Sequence, residues 1–202
     1  MSGPMAVSTW RSAEVVSDLP VPRGDVDVVR TQRELALVRD HLHVVWRFLR
    51  RLGFSPEDAD DATQEIFVVA VGKLDQIEPA KERSFLYGTA VRLASRHRRS
   101  MNRRASHHVR GVDVEDVGSR DVPADELIDR KDGLEFLDRT LADMTPDLRT
   151  TFALFELEEM TMAEIAAVTE VPMGTVASRL RRAREQFQEA VNRLQMQRAK
   201  QP

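Results

Sequence analysis

The sequence predicts an all-α protein in which two small helical domains are joined by a flexible linker. Apolar residues recur at the spacing of a helix face along both halves of the chain. No segment alternates apolar and polar residues over enough length to form a strand. Between the two halves, residues 101–131 lose the apolar periodicity and gain charge, which is typical of a linker.

Residues 1–29 have no apolar periodicity and contain Pro4, Pro20 and Pro22, so we expect a disordered extension there. Residues 30–100 and 132–196 are then the two helical domains.

The first domain is predicted to contain three helices. The first helix covers about residues 31–52, and Gly53 suits the position just past its end. Ser55 and Pro56 are typical of the N-cap and first residue of a second helix. The apolar stripe of the first helix consists of Leu35, Val38, Leu42, Val45, Leu49 and Leu52.

The second helix is expected to end near Gly72, and residues 73–83 read as a loop that contains Pro79. A third helix follows over about residues 84–100. The residues expected to face inward are Ala59, Ala62, Ile66 and Val69 on the second helix, and Leu86, Ala90 and Leu93 on the third.

The second domain begins with a helix whose apolar face includes Leu134, Leu137 and Leu141. Thr145 and Pro146 are expected to cap the next helix. Its predicted inward residues are Leu148, Phe152 and Phe155.

Residues 161–187 have the pattern of a helix, a tight turn and a second helix with an arginine-rich face. Thr161 and Glu164 form a capping-box pattern at the start. This is the form of a helix-turn-helix, whose second helix enters the DNA major groove. The predicted inward residues are Ile165 and Val168 on the first helix, and Val176, Leu180, Ala183 and Phe187 on the second.

The outward residues of the second helix could contact DNA, because arginine pairs bidentately with guanine and serine reaches bases or phosphates. A plainer interpretation is a solvated basic helix end, which the helix dipole favours. The set expected to face outward or to flank the buried face consists of Thr175, Ser178, Arg179, Arg181, Arg182 and Arg184.

The charge distribution supports a nucleic-acid partner although the net charge is -3. Arginines cluster in residues 92–110 and again in residues 179–184, whereas acids cluster in residues 57–65 and 113–132. Phosphate affinity depends on such local basic patches more than on total charge. The alternation predicts a nucleic-acid surface and a second, different partner.

The composition limits the remaining chemistry. The chain of 202 residues contains no cysteine, and its five histidines form no metal-ligand pattern, so we expect no metal and no cofactor. The longest apolar run, residues 66–71, is far shorter than the roughly 20 residues that a membrane helix needs. The start of the chain does not resemble a signal peptide, and we expect a cytoplasmic protein.

Two motifs in this order resemble the extracytoplasmic-function (ECF) sigma factors, the two-domain sigma subunits of bacterial RNA polymerase. Residues 162–187 are similar to region 4 of that family, with Val171-Pro172-Met173-Gly174-Thr175-Val176 at the turn and Ser178-Arg179-Leu180-Arg181-Arg182-Ala183-Arg184 on the second helix. Residues 58–67 are similar to region 2.2, and residues 46–52 to region 2.1. The resemblance covers about residues 33–195.

The resemblance implies a promoter-specificity subunit that is not itself an enzyme. Its partners would be the clamp helices of the polymerase largest subunit, the flap of the second-largest subunit, and promoter DNA; an anti-sigma factor is a further partner that the family admits. The implied polymerase-binding residues are Asp58, Asp61, Gln64 and Glu65. Those for the −10 element are Lys73, Gln76, Lys81, Arg83, Arg92, Arg96 and Arg99, and those for the −35 element are Thr175, Ser178, Arg179, Arg181 and Arg182.

Four positions depart from the common family pattern, and two of them, Arg92 and Ala177, leave the promoter sequence open but not the function. Phe85 stands where tryptophan is frequent, Arg92 where asparagine is frequent, Glu170 at the usual turn glycine, and Ala177 at a frequent basic residue. The acidic linker could mimic nucleic acid or simply tether the domains.

Three other functions stay open at this point. The main alternative is a stand-alone helix-turn-helix regulator that needs no polymerase, against which the acidic 58–67 segment argues. An adaptor with solubilising basic faces is the second. An enzyme is the weakest, because the sequence shows no nucleophile–base pair and no phosphate-binding glycine loop.

Overall fold

The computed structural model describes residues 25–105 and 124–199, and every regular element within these ranges is helical. The all-α prediction is therefore confirmed. None of the described helices is long and apolar enough to cross a membrane. The helices are α1 (Asp25–Arg51), α2 (Pro56–Gly72), α3 (Glu82–Ala105), α4 (Ala124–Asp143), α5 (Pro146–Phe152), α6 (Met162–Thr169) and α7 (Met173–Arg198).

The described helices extend further than the sequence predicted. Helix α1 begins at Asp25, inside the predicted extension, and residues 1–24 lie outside the described part. Helices α3 and α4 reach into the predicted linker, of which residues 106–123 lie outside the described part. The chain divides into two units, residues 1–36 and 37–202. In the first unit, Arg30 Nε lies 3.0 Å from Glu34 Oε1, one helical turn away.

The buried face of α1 differs from the predicted stripe. Leu35 is 60% exposed and Leu42 is 44% exposed. Leu42 lies seven residues before the fully buried Leu49 and only about 20° from it around an ideal helix, so its exposure reflects what packs beside that part of α1 and not a drift of the stripe. The residues of α1 and its end that are buried are Leu37, Val45, Phe48, Leu49 and Leu52.

The start of α2 is capped as the sequence predicts. The Ser55 hydroxyl accepts a hydrogen bond of 3.0 Å from the Asp58 backbone N–H. Gly53 has φ +98°, the left-handed region that glycine occupies without a Cβ penalty, and it ends the preceding helix. Val69 is only half-buried, whereas Ala59, Ala62, Thr63, Ile66, Phe67 and Ala70 are buried.

The predicted loop between α2 and α3 contains two short 3₁₀ turns, Leu74–Gln76 and Pro79–Lys81. Leu74 and Ile77 are buried, 1% and 7% exposed. Burial of these two side chains fixes the segment between α2 and α3, which the sequence composition predicts only as an irregular loop.

The second half contains one element that the sequence did not predict. A π-helical turn, Ala153–Leu157, continues α5 toward α6. Thr145 occupies the N-cap position of α5 but its side chain makes no capping hydrogen bond. The predicted Thr161–Glu164 capping box is confirmed, with the Thr161 N–H donating to Glu164 Oε2 at 2.8 Å and the Glu164 N–H donating to Thr161 Oγ1 at 3.3 Å.

Helices from the two predicted domains share one hydrophobic core. Helix α3 packs against α2 on one side and against α6 on the other. A second, smaller cluster lies where α4, α5 and α7 meet, around Leu141, Phe152 and Ala183. The shared core includes Phe48, Leu49, Ile66, Leu86, Tyr87 and Ala90 from the first half, and Ala153, Leu154, Met160, Ile165, Val168 and Val176 from the second.

Candidate protein-docking and nucleic-acid surfaces

Helix α2 presents an exposed acidic face. Asp58, Asp61, Gln64 and Glu65 are all exposed, and their spacing places them on one side of the helix. Val68 continues the same face and is 73% exposed. A single exposed apolar residue is common on protein surfaces, so Val68 does not by itself mark a binding surface. The sequence analysis missed Val68, because it lies inside an apolar run that looks uniformly buried.

The acidic face of α2 meets the basic face of α3 across an open groove. Arg96 donates to Glu65 Oε1 at 2.9 Å, so one residue predicted to bind polymerase pairs with one predicted to bind DNA. Asp58 Oδ2 accepts from the Ser55 hydroxyl at 2.7 Å and lies 3.9 Å from His97 Nε2. The groove is lined by Phe54, Asp58, Asp61, Ala62, Glu65, Leu93, Arg96, His97 and Ser100.

The arginines of α3 predicted to track DNA form a stripe on the helix. Arg92, Arg96 and Arg99 are exposed, and each follows the last by one helical turn. Arg92 Nη1 lies 3.8 Å from Glu170 Oε1 at the end of α6. Arg98, between them, is half-buried, and burial lowers the pKa of its guanidinium.

The segment before α3 and the first turn of α3 expose the remaining predicted −10 residues. Lys73, Gln76, Lys81 and Arg83 all face solvent. Lys81 Nζ pairs with Glu78 Oε2 at 2.8 Å, and the Arg83 guanidinium lies 5.6 Å from the centre of the Tyr87 ring. An exposed ion pair is weak, so Lys81 can leave it for a phosphate at small cost.

Helix α7 separates its arginines into two groups. Arg181 and Arg182 are exposed; Arg181 donates to Glu185 Oε1 at 2.6 Å, and no described residue pairs with Arg182. The Arg179 side chain is 25% exposed and pairs with Asp147 on α5. Arg184 donates to Glu156 Oε1 at 2.6 Å and stacks over Phe155. Arg179 and Arg184 therefore tie α7 to the α5 segment, whereas Arg181 and Arg182 face outward.

The exposed start of α7 contains the two hydroxyl residues of the predicted set. Ser178 is exposed and its hydroxyl donates to the Thr175 carbonyl at 2.9 Å, while Thr175 itself is half-buried. The preceding turn depends on Glu170, which adopts a left-handed conformation with φ 57°. A non-glycine residue there costs about 1–2 kcal/mol, and the Glu170 N–H still satisfies the Ala166 carbonyl.

A buried polar cluster joins the two halves of the chain. Glu158 is 3% exposed, and its carboxylate accepts from Arg51 Nη1 at 3.0 Å and from the Tyr87 hydroxyl. Burial and the neighbouring Glu158 charge raise the pKa of Tyr87, so the phenol keeps its proton and remains a donor. Sequence analysis missed this cluster, because nothing in the spacing of these residues links them.

Arg149 on α5 makes a second connection between the halves. It donates to the Ala142 carbonyl at 2.6 Å, and to the Leu52 carbonyl past the end of α1 at 3.4 Å. Its Nε atom is buried without a hydrogen-bond partner among the described residues. Burial, and then repulsion from Arg98, lower the pKa of Arg149. Arg149 thus joins the C-terminal ends of α1 and α4, because an arginine side chain can donate hydrogen bonds to the carbonyls that a helix end leaves free.

Comparison with known proteins identifies the class to which these surfaces belong. Residues 37–104 match the family model for Sigma-70 region 2, and residues 135–187 match the model for Sigma-70, region 4. The RNA polymerase sigma-H factor of Pseudomonas aeruginosa is 30% identical over 165 residues, covering 78% of this chain and 86% of that protein. The ECF RNA polymerase sigma factor SigC of Mycobacterium tuberculosis is 32% identical over 142 residues, covering 70% and 74%.

A solved structure has the same fold. The sigma factor RpoE from Bartonella quintana, in complex with the anti-sigma factor NepR, aligns with a TM-score of 0.62 at 19% identity, over 80% of this chain and 96% of that one. The two surfaces thus belong to a sigma-70-type transcription initiation factor. More narrowly, the chain belongs to the ECF RNA polymerase sigma factors, which bind core polymerase and direct initiation at promoters. A stand-alone regulator is not favoured.

Proposed function

We propose that the acidic face of α2 binds the clamp helices of the polymerase largest subunit. Asp58, Asp61, Gln64 and Glu65 supply carboxylates and an amide for basic partners, and Val68 adds an apolar contact at the same face. The observation that carries the proposal is this exposed acidic face in the same chain as an exposed arginine face on α7. A chain that binds DNA alone has no need of the acidic face.

The groove between α2 and α3 and the segment before it would hold the −10 element. Arg92, Arg96 and Arg99 are spaced to follow a phosphate backbone, and the exposed groups at Lys73, Gln76, Lys81 and Arg83 extend this basic surface toward a melted strand. Binding DNA requires Arg96 to exchange its exposed pair with Glu65 for phosphate. Engagement of polymerase by Glu65 would release Arg96, so the two events would favour each other.

The start of α7 would read the −35 element. Ser178, Arg181 and Arg182 face solvent and can reach base edges, and Thr175 can contact the backbone at the helix start. Arg179 has a different role from these residues, because its ion pair with Asp147 fixes the angle of α7 on α5. We assign it to positioning the recognition helix.

The second half of the chain would also contact the flap of the second-largest polymerase subunit. The protein acts where polymerase transcribes, in the bacterial cytoplasm, and the catalysis of transcription belongs to polymerase. The predicted acidic segment, residues 113–132, lies largely outside the described residues. Its role, as a tether between the domains or as a mimic of nucleic acid, stays a prediction. An anti-sigma factor that covers one of these surfaces stays a predicted partner.

The decisive experiment is in vitro transcription on a genomic DNA pool with purified core polymerase, with and without this protein. New transcript starts that share paired upstream elements are the expected result, and they would identify the promoter. The matched control is the Asp61→Arg variant, which should remove the new starts together with polymerase binding. If the wild-type protein binds DNA without polymerase and adds no starts, the stand-alone regulator replaces this proposal.

A further inference from the structure

Met173 is an exposed apolar residue at the start of the helix assigned to the −35 element. It is the first residue of α7 and is 55% exposed. Single apolar residues are often exposed, so exposure alone gives Met173 no function. Its place in the helix-turn-helix does, because the N-terminal residues of the second helix are those that contact base edges in the major groove.

Met173 lies in line with an exposed arginine of the same helix. Ala177 follows it by four residues and Arg181 by eight, so each step turns by only about 40° around an ideal helix. Ala177 is exposed and too short to cover Met173. Position 174 is also open: a Cβ placed on Gly174 would meet no side chain of the described residues within 4 Å, its two chain neighbours aside. A base edge that reaches Arg181 can therefore also reach Met173.

The chemistry of the Met173 side chain restricts what it can recognise in DNA. Its sulfur is only a weak acceptor and the side chain has no donor, so it cannot replace arginine at a phosphate or at guanine. The bases offer one apolar group in the major groove, the C5-methyl of thymine, and apolar side chains read thymine by contact with it. Methionine is unbranched and flexible, so it can adapt to the position of that methyl group.

We propose that Met173 selects a thymine in the −35 element by packing against its C5-methyl group. The inference rests on the proposed assignment of α7 to that element, and it adds an apolar determinant to the polar residues. Met173 and Arg182 are nine residues apart, or about 13.5 Å along α7. At about 3.4 Å per base pair this length covers about four base pairs, so both residues can read one short element.

Replacing thymine with deoxyuridine tests the contact, because it removes the methyl group and keeps the donors and acceptors of the base edge. All thymines of the −35 element, on both strands, would be replaced in a promoter found with the wild type. The affinities of reconstituted holoenzyme for the two promoters are then compared by competition. We expect the wild-type holoenzyme to bind the deoxyuridine promoter about three- to five-fold more weakly, as burial of one methyl group implies.

The variants Met173→Ala and Met173→Gln should bind the two promoters equally, because neither brings an apolar side chain to the methyl group. Met173→Leu should keep most of the preference for thymine. The matched control is Met196→Ala, which changes a 58% exposed methionine of the same helix, about 35 Å further along α7. This control should keep the full preference. Both methionines are exposed, so neither change should disturb the fold.

Three results would overturn the proposal. One is a −35 element without any A·T pair, and another is equal affinity of the wild-type holoenzyme for both promoters. The third is a preference for thymine that survives in Met173→Ala, because the methyl group would then act through another residue or through the shape of the DNA. The proposed function fails in a different way, since randomising the whole −35 element would then leave the affinity of the wild-type holoenzyme unchanged.

Discussion

Replacing Arg182 with alanine should weaken reading of the −35 element at one base position and leave the fold intact. Arg182 is exposed and pairs with no described residue, so its loss removes no structural contact that the structure shows. A bidentate arginine–guanine contact discriminates against other bases by about 1–3 kcal/mol. The expected loss of affinity for the preferred element is therefore roughly five- to 150-fold, because about 1.4 kcal/mol corresponds to a factor of ten.

The assay is selection of upstream sequences from a DNA library randomised over the −35 element, with holoenzyme reconstituted from wild-type or variant protein. We expect one position of the selected element to lose its base preference in the Arg182→Ala variant. Arg193→Ala is the matched control, since it removes an exposed arginine of the same helix that is not assigned to reading DNA. It should leave the base preference at every position of the selected element unchanged.

The base-reading assignment of Arg182 would be refuted by a uniform result. If every library sequence weakens equally and the slope of log affinity against log salt falls by about one, Arg182 contacts a phosphate instead of a base. If holoenzyme assembly fails in the variant, α7 takes part in polymerase binding, and the division between α2 and α7 is wrong.

Asp61→Arg should lower the affinity for core polymerase at least about ten-fold, because it reverses a charge on the acidic α2 face. Glu189→Arg, an equal change of charge on α7, should not lower it. If fluorescence titration gave the two variants equal affinities, α2 would not belong to the interface. Thr161→Ala should lower the free energy of unfolding by about 1 kcal/mol in urea titrations, through loss of the N-cap, with Thr161→Ser restoring most of it. Hydrogen bonds from the Thr161 backbone and hydroxyl lower the pKa of the Glu164 carboxylate. The ionised carboxylate therefore stabilises the fold above its unfolded pKa, and this contribution should disappear as the pH falls through the folded pKa. If the difference in the free energy of unfolding between the wild type and Glu164→Gln grew in acid, the sign of this argument would be wrong. Ile165→Ala, at a fully buried site, should cost about 2–5 kcal/mol, and a loss below 1 kcal/mol would argue against the shared core.

The local signals in the sequence predicted the helices well. The Ser55 N-cap, the Thr161–Glu164 capping box and the start of α7 after Pro172 depend on residues within a few positions of each other, so they can be read directly. The exposed members of the candidate surfaces were also predictable, since charge at helical spacing shows which face meets solvent. Residues missed by this reasoning, such as Val68, are apolar residues that the fold leaves outside.

Periodicity identifies an apolar face but not the partner that covers it. Leu35 and Leu42 match a helical stripe, yet both are exposed, because burial depends on which neighbouring helix is present along α1. Arg179 and Arg182 have the same chemistry on the same helix, but only the position of Asp147 on α5 makes one of them a structural residue.

The sequence by itself determined the all-α class, the capped helix starts, the helix-turn-helix and its arginine face, because each depends on neighbours along the chain. Only the tertiary structure decided that the two halves share a core, and that Glu158 is buried against Arg51 and Tyr87. Those contacts join residues up to 107 positions apart. Such pairings are selected by shape and by the cost of leaving a buried charge unpaired, and no local pattern records either of them.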